Sequence, residues 1–180
     1  MAGLNSLLYK FRSAQDGMAS VEFAIVVPVL LIILVGMIDF GRLTTDYEAA
    51  NKSVRDASRF LARARMDCPA AGTGPAADYL VDASYNWGTL AQNLTLTGKT
   101  ATPTAGSYLL AYWTDPATVT MSVTCVANGG TYAGVFTDLA FIPRITVTAN
   151  VPFSFLFGTI VFSSASLTLV AAHTEVGIGE

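Results

Sequence analysis

Few side chains in this 180-residue chain are of a type that does chemistry, and their spacing narrows what they can do. Glu22 is the single ionisable residue between Met18 and Ile38, preceded by Gly17 and followed by Phe23. A carboxylate inside an apolar span costs about 2.5–3.5 kcal/mol at the centre and less near an end. Glu22 therefore either lies at the headgroup boundary, solvated or favouring a helix amino terminus, or it finds a cation. Cys68 and Cys125 fall in no CxxC or metal-ligand spacing. They suit one disulfide outside the cytoplasm, and a buried free thiol at Cys125 is the alternative. His173 is the only histidine, and no HExxH, GxSxG, phosphate-loop or dinucleotide fingerprint accompanies it. No catalytic residue, cofactor or metal is expected. The sequons Asn51-Lys52-Ser53 and Asn93-Leu94-Thr95 read as chance matches.

The element that must position Glu22 is the run MASVEFAIVVPVLLIILVGMI, residues 18–38. As a helix it spans roughly 30 Å, the thickness of a bilayer core. A cleavable secretory signal would be shorter and would end in an A-x-A-like site; here Asp39, Gly41 and Arg42 follow and the helical pattern continues. Pro28 removes one backbone hydrogen bond and should bend or locally melt the span. The bulk composition agrees with a membrane segment. Hydrophobic residues make up 52% of the chain and charged ones 13%, and the mean hydropathy is +0.50, too apolar for an ordinary soluble domain. A net charge of −3 supplies no basic field, so nucleic acid is not an expected partner. Charge does not orient the span, because Lys10 and Arg12 precede it and Arg42, Lys52 and Arg55 follow.

Beyond the span, Phe40, Leu43, Tyr47, Ala50, Val54, Ala57, Leu61 and Ala64 recur at steps of three and four. This stripe predicts one unbroken helix to about residue 65, with residues 39–66 as its amphipathic half. The opposite face carries Arg42, Asp46, Lys52, Arg55, Asp56, Arg59 and Arg63. It reads as a solvated face, with a ridge that receives acidic groups of another subunit as the alternative. Residues 67–180 form the head. A Gly/Pro/Ala-rich loop at 69–78 leads into a helical spacing over 76–94, with Leu80, Trp87 and Leu90 inward. Thr118–Cys125, Arg144–Val151 and the run through Leu167, Leu169 and Ala171 alternate as strands, and Ser107–Trp113 reads as a weaker fourth. The apolar stretch 152–162 reads as core or sheet-edge packing, or as an exposed patch. The expected fold is α+β, a long helix on a small antiparallel sheet.

The start of the span resembles the type IV prepilin signal, in which a peptidase on the cytoplasmic face cuts after the glycine. The resemblance rests on Gly17, Met18, Glu22 and Phe23, with Lys10 and Arg12 in a leader of residues 1–17. More broadly, GMASVEFAIVVPVLLIILVGMIDFGR and its continuation through Arg59 resemble the TadE-like pseudopilins of the tight-adherence (Flp pilus) apparatus, over residues 17 to about 63. The resemblance implies cleavage between Gly17 and Met18 by a prepilin peptidase, a head outside the inner membrane, and a minor role in pilus assembly and adherence. Its partners would be that peptidase, other pilin or pseudopilin subunits, the assembly machinery and membrane lipid. The new α-amine of Met18 would be the cation that Glu22 of a neighbour neutralises. A type II secretion pseudopilin, or an uncleaved signal-anchored binding module, are the alternative readings.

Overall fold

A run of apolar and small residues with Glu22 as its one ionisable side chain, followed by a mixed polar run, gives one helix, α1, from Asp16 to Leu61. The computed structural model describes residues 16–82, 85–130, 136–156 and 166–179. These fall into two units, divided between Arg42 and Leu43. In the first, α1 stays helical on both sides of Pro28 rather than melting there. Its neighbours keep their helical hydrogen bonds while the ring removes only its own donor. None of the most apolar 18-residue window of α1 is buried, and its mean hydropathy is 2.9. By length and composition this segment can cross a membrane.

The second unit opens with the remainder of α1, whose buried stripe is Ala50, Val54, Ala57 and Leu61. Tyr47 and, before it, Phe40 are exposed despite sharing the spacing. The helix ends at Leu61, a turn earlier than expected. Residues 62–64 turn instead, and Arg65 and Met66 enter isolated bridges to Gly179 and Leu80. The turn is held from outside the helix: the Ile178 N–H donates to the Ala62 carbonyl at 2.8 Å.

Four antiparallel strands follow in sequential order. These are β1 (Gly72–Pro75), β2 (Val119–Ala127), β3 (Phe141–Ser154) and β4 (Ser166–Val176). Alternation sets which face is buried: Val119, Val123 and Cys125 of β2, Ile145, Val147, Ala149, Val151 and Phe153 of β3, and Leu169 and Ala171 of β4 join the α1 stripe in one core. The other face carries hydroxyl contacts between Thr73 and Thr124 at 3.0 Å and between Thr146 and Thr174 at 2.8 Å, alongside apolar Ile142 and Val170. Residues Phe153 and Phe155 begin the apolar stretch that follows β3, their rings edge-on at 5.2 Å. Phe153 is core; residues 157–162 of that stretch lie outside the described residues.

Two elements differ from expectation. Ser107–Trp113 is a succession of turns, opened by the Ser107 hydroxyl bonding to both backbone groups of Thr104. Trp113 is buried in the core, and its indole N–H donates to the Thr118 hydroxyl at 2.7 Å. The fourth strand is instead β1, whose glycines read as loop. It is a short edge closed by Pro75, a residue that an edge tolerates. The helical segment over 76–94 resolves into a 3₁₀ turn at Ala76–Asp78 and a helix, α2, at Trp87–Thr97. Asn86 breaks it by taking a left-handed conformation, and Gly98 ends it with another. Buried Thr95 and Thr97 in α2 return their hydroxyls to the carbonyls of Ala91 and Asn93, each at 2.7 Å.

Candidate functional site

The residues singled out from the sequence fall in two places. Gly17, Met18, Glu22 and Phe23 occupy the first two turns of α1. Met18 and Glu22 are four residues apart, so they share a helix face. Both Met18 and Phe23 are exposed, at 74% and 69%, and a Cβ placed on Gly17 would meet nothing within 4 Å. Glu22 is exposed as well. Apart from Glu22 and Ser20 this stretch of helix is apolar, and it is covered by none of its own chain among the described residues. Such a surface is stable only in lipid or against other apolar helices. At the far end of the apolar run, Asp39 is buried and accepts from the Arg42 guanidinium at 3.5 Å. The sequence signal for that pair was its i,i+3 spacing, which helix geometry makes adjacent.

Cys68 and Cys125 lie in the second unit. Cys68 follows the turn that ends α1, and Cys125 is on the core phase of β2. They are joined by a disulfide with Cα atoms 5.7 Å apart, inside the range that an unstrained bridge needs. The bridge ties the exit of α1 to a strand that β1 and β3 flank. Cys125 faces Gly72 across β1 and Pro143 across β3, so the bond also meets the sheet at its interior.

The basic ridge receives an acid from its own chain. Arg59 Nε donates to Glu175 Oε1 at 3.5 Å, and His173 Nε2 shares the same oxygen at 2.9 Å. The His173 hydrogen bond is the main reason that the Glu175 carboxyl falls below the usual carboxylate range, opposed by desolvation and helped by Arg59. Arg55 and Arg63 remain exposed on the same face. On the adjoining face, the Tyr112 hydroxyl donates to Asp46 at 2.6 Å. Neither contact was legible from spacing along the chain, because each joins α1 to a distant segment. His173 thus serves as the same-face neighbour of Glu175 along β4, and among the described residues no group of three or more histidine, cysteine or carboxylate side chains is placed to hold a metal.

The class defined by these features is an α+β protein whose amino-terminal helix is suited to anchoring in a membrane. Residues 17–59, nearly all of α1, match the family model described as TadE-like protein, which bears out the resemblance carried by Gly17, Glu22-Phe23 and Gly41-Arg42. That match covers less than half of the chain, along a helix whose first part is long and apolar enough to cross a membrane. No curated protein and no solved structure matches the chain.

Proposed function

We propose that the chain is a pseudopilin, or minor pilin, of the Tad (Flp) pilus system, processed by a prepilin peptidase between Gly17 and Met18 and acting in pilus assembly and surface adherence. The observation that carries this reading is the TadE-like match, which begins at Gly17 and takes in the apolar, uncovered first part of α1. In this reading, residues 1–17 are a cytoplasmic leader, residues 18–38 cross the inner membrane, and residues 67–180 form an extracytoplasmic head. The disulfide supports that placement of the head, since such bonds persist in oxidising compartments and are rare in the cytosol.

Processing creates the cation that Glu22 needs. The α-amine of Met18 in one subunit and the Glu22 carboxylate in a staggered neighbour neutralise each other in surroundings of low dielectric, where an unpaired charge is costly. Other pilin or pseudopilin subunits therefore pack against the same helix surface that faces lipid before assembly. The test is the amino-terminal sequence of the protein taken from membranes, which should begin at Met18. Gly17→Trp places a bulky ring at the scissile bond and should leave the full-length precursor in the membrane. A variant still shortened by residues 1–17 sinks the reading. A type II secretion pseudopilin would pass this cleavage test, and the TadE-like match favours the Tad assignment over it.

A further inference from the structure

Where the chain enters α2, three aromatic rings meet at the surface of the head. The centroids of Tyr85 and Trp87 are 4.9 Å apart with their planes 35° from parallel, and Phe60 of α1 lies 5.2 Å from Trp87. Tyr85 is 56% exposed, so part of its ring is accessible to a ligand. The indole N–H of Trp87 is buried without a hydrogen-bond partner among the described residues, whereas that of Trp113 is satisfied by Thr118. A buried donor left unmade costs free energy unless something completes it.

Two clefts share Asn86 in their walls. One, of about 360 Å³, is bordered by Asp82, Asn86, Trp87, Thr89, Gln92 and Met121. The other, of about 440 Å³, is bordered by Phe60, Tyr85, Asn86, Leu90 and Thr100. Asn86 holds a left-handed backbone at φ 39°, and its side chain makes no capping bond to α2, so its amide is not consumed by the helix. The Gln92 amide is held in place by donating to the carbonyls of Pro116 and Val119, at 3.1 and 3.3 Å.

The chemistry of these walls selects a ligand class. Among the described residues no lysine or arginine borders either cleft, which removes the charge-assisted bonds by which phosphates and carboxylates are held. What the walls offer is aromatic faces beside amide, carboxylate and hydroxyl groups. A ligand that fits has apolar C–H faces to lay on rings and hydroxyls to exchange hydrogen bonds with their neighbours. We propose that this surface binds a neutral saccharide, one sugar ring against the Tyr85–Trp87 pair and a second unit reaching the cleft across Asn86. The proposal rests on the second unit alone, Phe60 of α1 included, and stands whether or not residues 1–17 are removed as described above.

The test uses the full-length protein in a detergent without a sugar headgroup, titrated with a panel of neutral oligosaccharides of glucose, mannose and N-acetylglucosamine and, separately, with anionic oligosaccharides. In a Trp113→Phe background Trp87 is the sole indole, so its fluorescence reports the site directly. At least one oligosaccharide should change that emission saturably, and Tyr85→Ala should weaken its binding by about tenfold. Gly88→Gln is the blocking variant. A Cβ at Gly88 meets only the Met121 methyl, at 3.9 Å, so the added side chain enters the cleft without a backbone clash. It also replaces a poor helix former. Binding should be lost while the melting temperature is kept or raised. The proposal is overturned if no member of the panel binds, or if Tyr85→Ala and Gly88→Gln bind as tightly as the parent. It is equally overturned if only anionic oligosaccharides bind and Arg59→Glu with Arg63→Glu abolishes the effect, which would place the ligand on the basic ridge.

Discussion

Glu22 and Gly179 show how a single residue can matter for opposite reasons. Glu22 is unfavourable in lipid, so Glu22→Leu makes the span more apolar and should leave insertion and cleavage intact. The expected defect is confined to assembly: normal amounts of processed protein in membranes, with no incorporation alongside other subunits. A variant that fails to reach the membrane would count against a pairing role for this carboxylate. Gly179, by contrast, is constrained by lack of space. A Cβ there would overlap the carbonyl of Ala64 and crowd that of Arg63, beside the backbone bond from Ile178 to Ala62. Gly179→Val must therefore displace the tail from the turn that ends α1. We expect it to cost about 1–3 kcal/mol, as overpacking of a tight site usually does, and thermal unfolding of the purified protein measures it. Gly177→Ala, whose Cβ meets the flexible edge of the Pro143 ring at 2.9 Å, should cost less.

At the level of elements, the interface between the second half of α1 and the sheet is the part the sequence made legible. Ala50, Val54, Ala57 and Leu61 announce themselves by spacing, and all are fully buried. Ser53 and Ser58 are buried beside them, outside the apolar stripe that the spacing picks out. Each returns its hydroxyl at 2.9 Å to a carbonyl three residues back, so the core accepts it without a tertiary partner. Ala57→Leu should be poorly tolerated because nothing around a residue of zero exposure can give; a loss of about 1–3 kcal/mol is expected by denaturant titration. β1 was illegible for a different reason. Only Thr73 in Gly-Thr-Gly-Pro favours a strand, and the segment's state is imposed by the open edge of β2. The alternation in Ser107–Trp113 misled because a single buried tryptophan, anchored by its own hydrogen bond, imitates an inward strand position. The Arg59–Glu175–His173 contact, also unread from the sequence, predicts a pH signature. Glu175 has a lowered pKa, so its stabilising share is present above the unfolded carboxylate pKa, about pH 4, and is lost as pH falls through the lower folded value. Glu175→Gln should converge with the parent protein at the acid end of that window, in melting curves taken between neutral pH and about pH 3.

On the scale of the whole molecule, the disulfide joins residues 57 apart in sequence. The chain-entropy relation assigns a closed loop of that length about 4 kcal/mol of stabilisation, by restricting the unfolded state. Paired replacement Cys68→Ser with Cys125→Ser should lower the unfolding free energy of the head by up to about that amount. Thiol labelling of denatured, unreduced protein from membranes is the accompanying check: two alkylated cysteines would mean the bridge is not made in the cell. The pairing needed no geometry to suggest it, since the sequence offers only two cysteines. What they connect, the exit of α1 and an interior strand, became visible only in the fold.

That connection decides where mechanical load would travel. A subunit held by its helix and pulled through its head would pass tension from α1 through the Cys68–Cys125 bond into β2, a strand braced on both sides. The chain between the two cysteines, which contains β1, α2 and every named wall of the aromatic clefts except Phe60 of α1, would stay off the load path. In a single-molecule stretching experiment the oxidised protein should therefore lengthen by roughly 200 Å less than the reduced one, the contour of the sheltered segment. A surface carried there would keep its shape while the anchor strains.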